Sequence, residues 1–138
     1  MNVGPLIGYS YRNVPPEPAL AGRVQDGTYD LVEIVRHTPE QGPWSSDMAP
    51  AFRWAMRFST TETSSNHAAG VLASSVDLPP ATDCHVTRFA TFQHELRVAG
   101  GPKGMDSVAY TARGDTLVLT LLDGDGGIPQ TYVFRLRR

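Results

Sequence analysis

The side chains of this sequence that could carry out acid–base chemistry are a histidine, a glutamate and a tyrosine in extended segments. His94 lies two residues from both Phe92 and Leu96, so in a strand the three share one face. Histidine changes its charge near neutral pH and can act as a general acid or base. The spacing predicts His94 as a polar group in an apolar interior. The alternatives are a hydrogen-bonded structural histidine or, in the reversed register, an exposed one.

Glu33 lies two residues from Leu31 and Val35, and the same argument can place its carboxylate inside. The opposite interpretation stays open, because the apolar residues on either side of Glu33 can face the interior and leave the carboxylate in solvent. If Glu33 and His94 met in an interior, they would form a pair suited to proton transfer. The catalytic candidates, if the protein is an enzyme, are His94, Glu33 and Tyr110, whose hydroxyl could orient a ligand carbonyl.

Large apolar side chains alternate with charged or small ones in the segment 52–59, FRWAMRFS. This is the clearest strand pattern in the chain, with one apolar and one polar face. Aromatic residues on such a face either fill a core or line a cavity. The predicted ligand-binding residues are Trp54, Met56, Phe52, Tyr110, Phe134 and His94.

Short segments with this period recur from Gly27 to the C-terminus, separated by turns rich in Gly, Pro and Asp. One segment, Cys84–Val98, is too long for an average strand, so a bulge or turn is expected near Ala90–Thr91. Closing many antiparallel strands into a barrel covers the apolar face and removes the open edges. The sequence therefore predicts an all-β, antiparallel up-and-down barrel of seven or eight strands over residues 27–138. A two-sheet sandwich is the alternative.

Residues 1–26 are predicted to form an irregular, Pro-rich N-terminal arm. Pro15, Pro16 and Pro18 favour extended geometry, while Ile7 and Tyr11 give the arm an apolar part that can pack. The arm is expected to dock on its own subunit or on a neighbour, which allows a homodimer through the arm.

The sequence resembles the lipocalin-like (calycin) superfamily, and especially small bacterial lipocalin-like domains, which are often parts of envelope lipoproteins. The resemblance extends over residues 26–138 and rests on the opening run DGTYDL from Asp26, the run YTARGDTLVL from Tyr110 and the closing YVFR from Tyr132. It implies a barrel with a cavity, often for an apolar ligand. It transfers no catalytic residues.

Composition excludes several classes of protein. The 138 residues carry 12 Lys and Arg against 14 Asp and Glu, for a net charge of −2, which argues against nucleic-acid binding. No apolar run is long enough to span a bilayer. Cys84 has no partner for a disulfide, and no metal or cofactor motif is present.

The N-terminal segment does not resemble a signal peptide. The protein is therefore expected in the cytoplasm, or in the envelope or outside the cell if a leader was removed.

Three functions are compatible with these observations. The first is the binding of a small hydrophobic ligand in the barrel cavity, as a carrier or sensor. The second is a barrel-type cyclase or isomerase that acts on a natural-product intermediate, with His94, Glu33 or Tyr110 assisting. The third is a structural or interaction domain with a filled barrel. A barrel fold alone does not decide between them.

Overall fold

The computed structural model describes residues 4–12, 14–37, 52–64, 67–78, 81–101, 104–121 and 129–137. Within these residues the chain forms nine β-strands and no helix. In chain order the strands are β1 Tyr9–Arg12, β2 Gly27–His37, β3 Arg53–Ser64, β4 His67–Leu78, β5 Ala81–Phe92, β6 Glu95–Gly101, β7 Gly104–Arg113, β8 Thr116–Leu121 and β9 Gln130–Leu136.

Strands β2 to β9 form a closed barrel. Each pairs antiparallel with the next, and β9 returns to pair with β2. The predicted all-β, antiparallel up-and-down barrel is confirmed, with eight strands in the barrel and β1 as an addition. We call the end at which β2 begins the closed end, because the segment before β2 crosses it. The opposite end, where β2 ends and β9 begins, is the loop end.

The alternation of β2 changes at one point along the strand. Tyr29 and Leu31 face the barrel interior, and both are almost fully buried. The register with β9 shifts between Leu31 and Glu33, which is the signature of a β-bulge. Beyond the bulge, Ile34 and Arg36 occupy the inward positions, in register with the inward face of β9. The bulge therefore exchanges the inner and outer faces of β2 towards the loop end.

The N-terminal arm fills a gap between β2 and β3. β3 pairs with β2 only over residues 27–30. Further along β2, that edge is occupied by β1, which pairs parallel with residues 34–37. Before β1, Ile7 and Phe52 exchange two backbone hydrogen bonds of 2.8 and 3.1 Å. The arm is thus less irregular than predicted, because it supplies a strand where the barrel strands diverge.

The arm fills a second gap at the closed end, where β7 continues beyond the start of β6. The Ala21 amide donates to the Tyr110 carbonyl at 3.0 Å, and the Ala112 amide donates to the Ala21 carbonyl at 2.8 Å. Gly22 follows with a φ of 116°, and a Cβ there would overlap the Ala112 carbonyl oxygen. The arm therefore docks on its own barrel, and a homodimer through the arm stays a prediction.

The turn between β5 and β6 lies at Gln93–His94 instead of near Ala90–Thr91. Phe89 pairs with Val98, so the two-residue turn places odd-numbered residues of β5 on the same face as even-numbered residues of β6. The expectation that Phe92 shares an inward face with Leu96 was wrong for this reason. The Phe92 side chain is 48% exposed.

The closed-end half of the barrel is filled by apolar side chains. Tyr29 and Phe58 meet edge to face with ring centroids 5.7 Å apart, and Phe58 meets Phe89 in the same way at 5.0 Å. Leu117 and Phe134 have no exposed surface. Such interiors are packed like organic crystals, so this half is a core.

The burial of Tyr29 predicts a loss of stability at alkaline pH. Burial raises the pKa of the Tyr29 phenol, although the Gln25 amide donates a hydrogen bond to its oxygen at 3.0 Å and lowers the pKa in part. The unfolded chain ionises this tyrosine near pH 10, before the folded chain does. The free energy of unfolding therefore falls as the pH rises through about 10. In urea titrations from pH 8 to 11, the wild type should lose more stability than Tyr29→Phe. Equal losses would contradict this.

Candidate functional site

The loop-end half of the barrel differs from the closed-end half in its solvent access. Phe52, Trp54 and Tyr132 occupy inward positions but are only half-buried, and so is Val76. Their counterparts nearer the closed end are almost fully buried. Solvent therefore reaches part of the inner face of the barrel in this half, which we call the loop-end chamber, while Ile34 and Leu119, the cross-strand neighbours of Tyr132, are almost fully buried.

One wall of the chamber is aromatic. The Trp54 ring meets Tyr132 edge to face at 5.6 Å and Phe134 edge to face at 5.2 Å. Trp54 directs its indole N–H to the Ser74 hydroxyl at 3.0 Å, which fixes the plane of the ring. This wall offers a rigid apolar surface, of the kind that lines small-molecule sites.

Polar groups lie beside Tyr132 on the side towards the loop end. Arg36 on β2 is paired with Gln130 on β9, and their exposed fractions are only 9% and 3%. The Tyr132 hydroxyl is 2.6 Å from Gln130 Oε1. Tyr11 on β1 pairs with Arg36 and so shares its inward face.

The Tyr11 hydroxyl is a polar group without a partner. It is buried and has no hydrogen-bond partner among the residues that the structure describes. A buried polar group without a partner is costly, and a ligand acceptor or an ordered water at this point would remove the cost. Together with the Arg36 guanidinium, this arrangement can hold a carboxylate or another oxygen-rich group beside the aromatic wall.

The predicted ligand-binding residues are divided between chamber and core. Trp54 and Phe134 are in contact, and Phe52 packs against the same apolar cluster. Met56 also faces inward, next to Tyr29 across the strand pair, and is 3% exposed. The structure thus brings Phe52, Trp54, Met56 and Phe134 to one interior. Their role in binding stays a prediction.

Tyr110 is a closed-end residue whose hydroxyl already donates a hydrogen bond within the protein. It is 3% exposed, and its Oη donates to the Gly22 carbonyl of the arm at 3.0 Å. The ring fills the core, and the hydroxyl ties the arm to the barrel.

Glu33 faces outward. The structure therefore shows the alternative in which the carboxylate lies in solvent. Its carboxylate lies 3.3 Å from Arg12 Nη2, and both side chains are exposed by more than two fifths. The bulge that places Arg36 inside is the reason. Alternation alone did not reveal Arg36, and the only sequence signal was the presence of apolar residues on both faces of β2.

His94 lies in the β5–β6 turn and is exposed, instead of on the inward face that the spacing predicted. Its carbonyl accepts a hydrogen bond from the Tyr110 amide at 2.9 Å. Glu33 lies on the outer face towards the loop end and His94 at the closed end, so the structure does not bring these two side chains together.

The closed eight-stranded up-and-down barrel is the architecture of lipocalins, with which this fold is compatible. No model of a known protein family matches the chain, and no curated protein or solved structure matches it significantly. Within the described ranges no helix has the length and apolar character needed to cross a membrane. The same ranges contain no group of three or more His, Cys, Asp or Glu side chains that could hold a metal ion.

Proposed function

We propose that this protein is a lipocalin-like binding protein that holds a small amphiphilic molecule in the loop-end chamber. The apolar body of the ligand lies against the wall formed by Trp54, Tyr132 and Phe134. Its acidic head group lies at Arg36 and Gln130. The single observation that carries the proposal is the contrast between a filled closed-end half and an accessible loop-end half with buried polar groups.

The chemistry of the chamber supports an acidic head group over a neutral one. The Arg36 guanidinium is 9% exposed, and charge-assisted hydrogen bonds from a guanidinium to an oxyanion are stronger than those to a neutral group. Gln130 and Tyr11 add neutral polar groups on the same face. An apolar ligand without a head group would leave these groups against hydrocarbon.

The proposal is tested with 1-anilinonaphthalene-8-sulfonate, which combines an aromatic body with an anionic group. We expect saturable binding to the folded wild type, followed by fluorescence. Arg36→Met and Trp54→Ala should each weaken binding by about tenfold. The first variant removes a charge-assisted contact with the anionic group, and the second removes the aromatic wall. Decanoate should displace the probe at lower concentration than decanol, and Arg36→Met should remove that difference.

Two matched controls lie on the outer face of the barrel. Arg57→Met removes an exposed cation of β3, and Phe92→Ala removes an exposed aromatic ring; neither should change probe binding. Thermal unfolding of each variant shows whether it is folded at the assay temperature, and Arg36→Lys replaces Arg36→Met if that variant is not. Absence of saturable binding, or equal binding by wild type, Arg36→Met and Trp54→Ala, would refute the proposal.

A further inference from the structure

A cleft of about 790 Å³ lies at the closed end, beyond the packed core and away from the loop-end chamber. Its described walls are the arm segment 21–24, the end of β3, the start of β4 and the turn that joins β5 to β6. Among the described residues that line it there is no carboxylate. The lining side chains with hydrogen-bonding or cationic groups include Arg23, His67, His94, Thr63 and Ser64.

The histidine at the start of β4 is held in one orientation. His67 Nδ1 lies 3.0 Å from the Thr91 carbonyl oxygen. A carbonyl only accepts hydrogen bonds, so Nδ1 carries the proton in the neutral ring. Nε2 is then the ring nitrogen that is left to contact a ligand.

We propose that this cleft binds a phosphate monoester through Arg23, His67 and His94. A phosphate presents three acceptor oxygens and close to two negative charges, which suits one guanidinium, two imidazole rings and the neighbouring hydroxyl groups. The cleft is larger than a phosphate ion, so an organic group can occupy the rest of it. The proposal does not depend on the ligand of the loop-end chamber.

The charged or titratable residues in and beside this cleft come from three elements. The arm contributes Arg23 and Asp26, β3 contributes Glu62, and the β5–β6 hairpin contributes His94 and Glu95. Asp26 accepts a hydrogen bond from the Thr60 amide at 2.8 Å and lines the neighbouring pocket together with Arg23. Glu95 is paired with Arg97 at 3.0 Å, which reduces its effect on a bound anion. Arg23, His67 and His94 line the cleft, while Asp26, Glu62 and Glu95 are not among its lining residues.

The experiment is an NMR titration of the full chain with phenyl phosphate near pH 7 at constant ionic strength. We expect saturable shifts of the Ala21, Gly22 and Gln93 amides, together with saturable shifts of the His67 ring signals. Arg23→Gln and His67→Gln should each raise the dissociation constant at least fivefold. Inorganic phosphate should compete, and acetate at the same concentration should compete far less.

His85→Gln is the matched control, because His85 is an exposed histidine of β5 on the loop-end side of the strand; its dissociation constant should equal that of the wild type. His94→Gln replaces either variant if that variant fails to fold. The proposal would be overturned if the shifts did not saturate by about 20 mM phenyl phosphate or if sodium chloride reproduced them. An equal loss of affinity in His85→Gln would overturn it as well.

Discussion

Phe58→Ala is expected to lower the free energy of unfolding by about 4 kcal/mol. The Phe58 side chain is 1% exposed, and its ring contacts two other rings edge to face, those of Tyr29 and Phe89. Removing it deletes both contacts and leaves a cavity between strands that cannot approach one another, because barrel closure fixes their separation. Urea unfolding followed by circular dichroism measures the change.

Phe92→Ala is the control for that experiment. It removes the same number of atoms from a ring that is 48% exposed and that has the Arg97 guanidinium 5.3 Å from its centre. We expect a loss below about 1 kcal/mol. If Phe58→Ala cost no more than Phe92→Ala, the closed-end half would not be a packed core, and the contrast between the two halves of the barrel would be lost.

Gly70→Ala is expected to destabilise the protein by about 3 kcal/mol, at the upper end of the range for overpacking. A Cβ at Gly70 would overlap the carbonyl oxygen of Ser59 and lie 2.8 Å from the Cα of Thr60. Both neighbours are backbone atoms of β3, next to the register shift between Thr60 and Glu62. The strand pair must therefore separate to make room, since no side chain can rotate away.

Gly8→Ala is the matched control, because nothing lies within 4 Å of a Cβ at Gly8 and the expected change is within about 0.5 kcal/mol. Thermal and urea unfolding of both variants measure the difference. A Gly70→Ala protein as stable as Gly8→Ala would contradict the close approach of β3 and β4 at the bulge.

The strand alternation of the segment Phe52–Phe58 was predictable because it is a local property of the chain. Successive side chains of a strand point to opposite faces, so Trp54 and Met56 had to share a face with both phenylalanines once the segment was extended. The number of short strands and their turns favoured a closed barrel and left a two-sheet sandwich open, and the pairing of β9 with β2 decides for the barrel. Membership of the lipocalin-like superfamily stays a proposal, supported by the barrel and by the resemblance of residues 26–138.

The identity of the polar groups inside the barrel was not predictable from alternation. Alternation alone allows either Glu33 or Arg36 to face the interior. The bulge in β2 decides between them, and it is defined by the register of β2 with β9, about a hundred residues later in the chain. His94 was assigned to a strand face for a similar reason. Whether it belongs to a strand or a turn depends on how β5 pairs with β6.

Local sequence therefore determined which segments are strands and which of their faces are apolar, because these properties depend on neighbours two residues apart. Tertiary structure decided which end of the barrel is filled, which charged side chain enters it and where the arm docks. These outcomes depend on pairings between distant strands, and a shift of one residue in such a pairing exchanges every inward side chain for an outward one.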